Sequence, residues 1–225
     1  MDLNIGNAQG KPVTQRGILT VFLDNLLFPI RAFLLPESSK WGLTSLRDER
    51  MLMVKGHTQG YTLDMGCGPN NIFINYYCVG NGIGLDVFPY KGVDNIVKDM
   101  TNLPFPNETF DSITLIAAIS HIPQNKRVTE FNEIKRILKN DGQVVFTEGE
   151  PVTQWMTHKW VWLSDTIFGT HWDVDTERGM EEGESYCVPV AEIRALLQQT
   201  GFSLKQKTAF QWGLNNVYVA VKKST

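Results

Sequence analysis

Short apolar runs alternate with segments of helical periodicity along most of the chain. Five runs have the length and composition of buried strands, at 61–65, 83–86, 95–98, 112–117 and 143–147. Between the last two runs, apolar residues recur at helical spacing from Val128 to Leu138. A further helix is predicted from Pro189 to Gly201, followed by two runs, 203–210 and 217–222, that are close enough to pair as a hairpin. This alternation predicts βαβ units around a mostly parallel sheet, which is the α/β class.

Residues 1–60 precede this pattern and are predicted to form a helical cap. Ser45, with an acidic residue three positions later, resembles a capping box that starts a helix running to about Lys55. The most apolar segment, 18–35, contains Asp24 and Arg31 and is a poor candidate for a membrane span. We expect it to pack over an active site. Contact with a membrane surface as an amphipathic helix is the less favoured alternative.

The segment from Glu148 to Cys187 fits neither period and is predicted to be an insertion, at about 149–187, within a domain that spans 61–225. Its aromatic side chains suit the walls of a pocket for a flat or apolar molecule, the candidates being Trp155, Trp160, Trp172 and Tyr186. A core or dimer contact explains the tryptophans nearly as well. The segment also carries an acidic run that includes Glu184, which we expect to be a solvated face.

Composition narrows the class of partner. The chain has 225 residues, 42% of them hydrophobic, which suits one α/β core with an insertion. Its net charge of −3 argues against a broad phosphate-binding surface, so we expect no nucleic-acid partner. The three cysteines are scattered, and the first eleven residues lack the pattern of a secretion signal. We therefore predict a cytoplasmic protein, with monomer and homodimer both open.

The stretch from Leu63 to Asn70, LDMGCGPN, places a glycine-rich turn after the first strand, with a helix predicted from Asn71 to Cys78. Such a turn lets a ligand approach the backbone, and Asp86 at the end of the next strand is placed to accept hydrogen bonds from a ribose diol. A dinucleotide-binding turn needs glycine at its sixth position, where this chain has Asn71. A carboxylate at Asp64 would repel a pyrophosphate and favour an ammonium group. The pattern therefore favours S-adenosylmethionine (SAM) over NAD.

These residues resemble the class I SAM-dependent methyltransferase family, whose first strand ends in an acidic-x-Gly-x-Gly-x-Gly pattern. The resemblance is good from Tyr61 to Gly149 and looser over the last two strands, and Asn70 replaces the third glycine. It implies a doubly wound, mostly parallel seven-stranded sheet that binds the ribose of SAM at Asp86 and its adenine at Asp99. The cofactor-binding residues that it implies are Asp64, Gly66, Cys67, Gly68, Asp86, Val87, Asp99, Met100 and Ala117.

The implied reaction is transfer of a methyl group from SAM to a small-molecule acceptor, leaving S-adenosylhomocysteine (SAH). His121 follows the fourth strand and is the candidate general base, although a His that only packs against the cofactor or caps a helix is slightly favoured. His171 and Asp173 match the start of a two-His-one-carboxylate site, but no histidine follows them, so we expect no metal. Two other functions stay open: SAM binding without methyl transfer, and a membrane-surface or scaffold role through 18–35.

Overall fold

Three helices precede the sheet. The computed structural model describes residues 12–150, 159, 163, 166, 183–185 and 187–223, and these helices are α1 (Ile18–Leu26), α2 (Phe28–Leu34) and α3 (Leu46–Lys55). The prediction of α3 is confirmed, and its first turn is capped by Ser45 Oγ, which accepts from the amide of Asp48 at 3.0 Å. The prediction that the Asp48 side chain completes the capping box is wrong. The Asp48 carboxylate is buried and accepts from Ser39 and Val13, so the Ser45 amide donates to Ser39 Oγ instead.

The sheet has seven strands in the order β3-β2-β1-β4-β5-β7-β6. Their bounds are β1 Thr62–Met65, β2 Gly82–Asp86, β3 Asn95–Ile96, β4 Phe110–Ile116, β5 Leu138–Gly149, β6 Phe202–Phe210 and β7 Asn215–Lys222. β1 to β5 pair in parallel, and β7 runs antiparallel to both β5 and β6. The predicted seven-stranded, mostly parallel α/β sheet and its terminal hairpin are therefore confirmed.

The connection from β1 to β2 differs from the regular helix predicted at 71–78. It consists of a 3₁₀ turn at Pro69–Asn71 and a π-helical turn at Phe73–Tyr77. Asn70 and Asn71 both have left-handed backbone angles, with φ of 64° and 44°, which interrupts regular helical hydrogen bonding. The side chain of Asn71 is buried and donates to Asp94 Oδ2 at 2.6 Å. This contact ties the turn to the loop that follows β2.

Apolar clusters cover both faces of the sheet. One lies between the sheet and the helices α4 (Arg127–Ile137) and α5 (Val190–Gln199), and includes Phe131, Phe146 and Ile193. The other lies against α3 and the π-helical turn, and includes Val54 and Phe73. Burial on both faces explains why the central strands are nearly continuous apolar runs. No helix in the described part of the chain is long and apolar enough to cross a membrane.

Candidate active site

A cavity of about 290 Å³ opens at the carboxyl ends of the parallel strands. Sheets of this class bind ligands at that edge, in the crevice where the strand order reverses. The charged or titratable side chains in its described lining are Asp86, Lys98, Asp99, His121, Lys126, Glu130 and Glu184. Carboxyl groups outnumber ammonium groups four to two in that set. The cavity is therefore better suited to a cationic ligand than to a polyphosphate.

The turn after β1 presents bare backbone to this cavity. Gly66 has a φ of 75°, and a Cβ built on it would lie only 3.0 Å from Cβ of Ala118. Gly68 has a φ of 64°, and a Cβ built there would meet no described atom within 4 Å. Both glycines line the cavity. A side chain at either position would strain the backbone, which accounts for glycine at both.

Asp86 holds two loops together at the end of β2. Its Oδ2 accepts from the Gly68 amide and its Oδ1 accepts from the Phe88 amide, both at 2.9 Å. The residue is buried but lines the cavity, and each carboxylate oxygen keeps a second lone pair for a ligand. The sequence indicated a ribose acceptor at this position. The structure adds a role in shaping the glycine turn.

Asp64 lies behind the turn. Its Oδ1 accepts from the hydroxyl of Thr114 at 2.6 Å, and burial raises the pKa of the carboxyl group to about 7. Burial likewise raises the pKa of the Cys67 thiol, which is an unreactive form of cysteine. Neither residue belongs to the described lining of the cavity, although both were predicted to bind the cofactor.

The other seven predicted cofactor residues meet at this one cavity: Gly66, Gly68, Asp86, Val87, Asp99, Met100 and Ala117. Asp99 is exposed, and its Oδ1 accepts from both the amide and the hydroxyl of Thr101, at 2.9 and 2.7 Å. These bonds lower the pKa of Asp99, so it is an anion at neutral pH. Only Oδ1 is engaged by Thr101, and the residue lines the cavity.

His121 forms a pair with Glu184 in the cavity wall. It lies in the 3₁₀ turn Ile119–His121 after β4, and its Nδ1 is 3.4 Å from Glu184 Oε2. The Glu184 side chain is 1% exposed, whereas that of His121 is 24% exposed. The expectation of a solvated acidic face is therefore wrong for Glu184, because the chain turns inward there to meet Ser120 and His121. The rest of that acidic run lies outside the described residues.

Sequence analysis missed two further buried carboxyl groups near this edge. Glu130, in the first turn of α4, lines the cavity, and burial raises its pKa to about 7. Its Oε2 has no hydrogen-bond partner among the described residues. Glu148, at the end of β5, also has a pKa raised to about 7 by burial. Neither position carries a sequence signal beyond being an acidic residue in a helix or strand.

The predicted substrate residues Trp155, Trp160, Trp172 and Tyr186 lie outside the described residues. The helical cap is described from residue 12, and it joins the sheet at the carboxyl edge. The side chain of Gln211 donates to Leu46 O at 2.8 Å, and the indole of Trp212 donates to Asn25 O at 3.0 Å. Both residues belong to the turn between β6 and β7. The N-terminal helices therefore lie at the same edge of the sheet as the cavity, but no residue of 12–60 belongs to its described lining.

Comparison with known proteins agrees with this geometry. Residues 63–146 match the sequence model of a family described as a methyltransferase domain. An uncharacterized protein of Methanocaldococcus jannaschii is 32% identical over 111 residues, which cover 44% of this chain and 41% of that protein. A demethylmenaquinone methyltransferase of Lactobacillus johnsonii is 24% identical over 190 residues, which cover 72% of this chain and 76% of that enzyme. The chain thus spans about two fifths of the first relative and about three quarters of the second.

Solved structures agree on the fold. A SAM-dependent methyltransferase of Thermotoga maritima, described as a possible histamine N-methyltransferase, superimposes with a TM-score of 0.58 at 15% identity. The match covers 91% of this chain and 97% of that one. The family match over residues 63–146 and the shared fold both agree with the resemblance to class I SAM-dependent methyltransferases.

Proposed function

We propose that this chain, whose residues 63–146 match a methyltransferase domain family, transfers a methyl group from SAM to a small-molecule acceptor. The carrying observation is the cavity in which a left-handed glycine turn, Asp86 and a surplus of carboxyl groups face one space. A sulfonium and an ammonium group both suit that surplus, and a pyrophosphate does not. The residues present therefore fit SAM.

Each part of the cavity has a proposed role toward SAM. Gly66 and Gly68 contact the amino-acid end, Asp86 accepts from the ribose hydroxyls, and Asp99 with Met100 contacts the adenine. Val87 and Ala117 supply apolar contact. Asp64 acts from behind the turn: its carboxyl group, held by Thr114, lies where a cationic ligand would lower its pKa and favour the anion.

The bound group would supply an electrophilic methyl carbon on a cationic sulfur. A hydroxyl or neutral amine of the acceptor would attack that carbon through its lone pair as the carbon–sulfur bond breaks and SAH leaves, and the acceptor atom would lose its proton. His121 is proposed to take the proton, because its ring lies in the cavity wall and is partly exposed. Glu184 is a positioning residue, since its buried carboxylate orients the ring and stabilises the imidazolium that forms.

A small acceptor is supported by two observations. The net charge of −3 offers little attraction to nucleic acid, and one relative is named as a demethylmenaquinone methyltransferase.

The cap of residues 1–60 and the insertion at about 149–187 are proposed to cover the acceptor, because the glycine turn and Asp86 already account for the cofactor. Trp160→Ala and Trp172→Ala should therefore reduce methyl transfer more than SAM affinity.

The deciding experiment is titration calorimetry with SAM, SAH and NAD, followed by a metabolite screen with deuteromethyl-labelled SAM. We expect SAM and SAH to bind, NAD not to bind, and a labelled product to form. Absence of SAM binding by folded protein would overturn the proposal, and SAM binding without any labelled product across the screen would favour a non-transferring SAM-binding protein. His121→Ala should lower kcat by roughly 10²–10⁴-fold with a smaller defect at high pH, if the histidine is the base.

A further inference from the structure

The two N-terminal helices present an apolar face to solvent. Seven large apolar side chains there are between 38% and 93% exposed: Ile18, Leu19, Val21, Phe22, Leu26, Ile30 and Leu34. Trp212 and Trp41, which are also exposed, lie on neighbouring turns, and the Trp212 ring packs against Phe28 of α2 at 5.2 Å between centroids. We call these seven side chains the α1–α2 face.

The amphipathic pattern of α1 and α2 is inverted. Residues 17–35 contain only two charged side chains, Asp24 and Arg31, and both are buried. Arg31 donates to Glu49 at 2.8 Å and to the carbonyl of Thr44 at 2.6 Å, and its guanidinium lies 3.4 Å from Asp24. This network attaches the helices to α3 through their polar side. The apolar side is consequently turned outward.

The exposed apolar area of the α1–α2 face is as large as one side of a protein–protein interface. Seven side chains at these exposures present on the order of 800 Å² of apolar surface, whereas the largest apolar patch on a typical monomer is about 300–600 Å². A standard protein interface buries roughly 800 Å² on each partner. One face of this kind therefore matches what a stable dimer needs.

We propose that the α1–α2 face binds the same face of a second copy of this chain. Two identical uncharged faces meet without like-charge repulsion, and a two-fold axis lets helices from both copies pack as a bundle. A lipid bilayer is the less suitable occupant, because membrane-surface helices bind anionic lipid through Lys and Arg. The α1–α2 face has neither, and the chain is negatively charged overall.

The test is sedimentation equilibrium of the full chain and of Phe22→Glu, with Val79→Glu as the matched control. Phe22 is 61% exposed, so the substitution leaves the monomer folded but puts two buried charges into the interface. Val79 is 87% exposed at the opposite edge of the sheet, and its substitution should change nothing. Circular dichroism checks folding, and Leu26→Lys is the second interface variant.

We expect a wild-type dimer, an unchanged Val79→Glu dimer, and at least a hundredfold weaker dimer in Phe22→Glu and Leu26→Lys. A wild-type monomer at tens of micromolar would overturn the proposal, as would a dimer that both interface variants preserve. Co-sedimentation of monomeric wild type with phosphatidylcholine vesicles, lost in Phe22→Glu, would assign the face to lipid instead.

A second inference concerns Glu130, on an independent observation. Glu130 is 4% exposed, lines the cavity, and has an oxygen without a hydrogen-bond partner among the described residues. Burial raises its pKa, Lys126 before the first turn of α4 lowers it, and Asp99 on the segment after β3 raises it. A buried polar atom of this kind is costly unless a ligand completes its hydrogen bonds.

We infer that Glu130 binds the adenine edge of the adenosyl ligand, an inference that rests on the proposed function. Adenine presents an amino donor beside a ring-nitrogen acceptor. A carboxylic acid matches this pair, because its carbonyl accepts from the amine while its hydroxyl donates to the ring nitrogen. Asp99 is less suited to the second bond, since it is ionised and has one oxygen committed to Thr101.

The test is calorimetric binding of SAH and of its purine analogue, in which hydrogen replaces the 6-amino group. Glu130→Ala should weaken SAH about ten- to a hundredfold and the analogue by a smaller factor, because the analogue keeps the ring nitrogen but lacks the amine. Wild-type affinity for SAH should fall above pH 7 more steeply than that of the variant. Exposed Glu108→Gln is the control. Equal losses for both ligands, or no loss, would overturn the inference. A wild type that binds neither ligand would instead overturn the proposed function.

Discussion

Asp86→Asn tests how much the Asp86 carboxylate contributes to the stability of the glycine turn and to ligand binding. The Asp86 carboxylate accepts from the amides of Gly68 and Phe88, each at 2.9 Å. An asparagine side chain has one acceptor oxygen, and its NH₂ group would face the other amide. One hydrogen bond to a charged acceptor is therefore lost, at a cost of about 1.5–3 kcal/mol.

This loss should appear in two measurements. In a chain of this size each kcal/mol shifts Tm by about 2–4 °C, so Tm of the ligand-free protein should fall by roughly 3–12 °C. The same free energy, if ligand contact depends on Asp86, corresponds to about ten- to a hundredfold weaker SAH binding. Differential scanning calorimetry and titration calorimetry measure the two quantities.

Asp111→Asn is the matched control. Its carboxylate also accepts from a backbone amide, that of Tyr61 at 2.8 Å, and from Lys139 at 2.7 Å, but it lies at the opposite edge of the sheet. We expect a lower Tm with SAH affinity unchanged within about twofold. An Asp86→Asn protein with wild-type SAH affinity would refute the assignment of this carboxylate to the ligand. Weakened binding in the control would mean that the loss is global.

Three further changes test the buried polar groups. Thr114→Val removes the donor to the Asp64 carboxyl group, so urea unfolding should show a loss of about 1–3 kcal/mol that is larger at pH 8.5 than at pH 5.5, where the acid is neutral. Burial raises the pKa of Glu148 from 4.5 to about 7, so the folded state binds more protons and the free energy of unfolding decreases as pH rises through that interval. Glu148→Gln should therefore show a smaller decrease between pH 5 and pH 8, and an unchanged pH profile would contradict this. Arg31→Met should cost roughly 3–5 kcal/mol by thermal unfolding, because the buried Glu49 Oε2 loses its guanidinium partner and only Arg16, on Oε1, still pairs with that carboxylate; a neutral result would show that the network is not stabilising.

The sheet was predictable because its determinants are local. The central strands β1, β2, β4 and β5 are apolar runs that follow a glycine or an acidic residue, and burial on both faces makes those runs nearly continuous. The glycine turn and Asp86 were predictable for the same reason, since parallel strands that end at one edge bring their following residues together. Strand bounds shifted by a few residues, most at β5, which extends from Leu138 to Gly149.

The missed features depend on long-range contact. Glu184 belongs to an acidic run that looks solvated, and only its approach to His121 across 63 residues shows that it is buried. Glu130 occupies a polar position of an ordinary helix, and only the folded structure shows that it is buried in the wall of the cavity. In α1 and α2 the helical period was visible, but which side faces inward was decided by Arg31 meeting Glu49 of another helix.

The site owes its shape to the pairing of β1 with β2. The parallel register sets Met65, the last residue of β1, beside Leu85, so β2 extends one residue further. The amides of Gly66 and Cys67 donate to the carbonyl of Leu85 at 2.8 and 3.1 Å. The chain that leaves β1 must therefore pass the next residue of β2, which is Asp86. A shift of one residue would turn that carboxylate to the other face of the sheet. Because the bonds that form the turn continue the central ladder, the turn is ordered without a ligand, and little conformational entropy is lost when one binds.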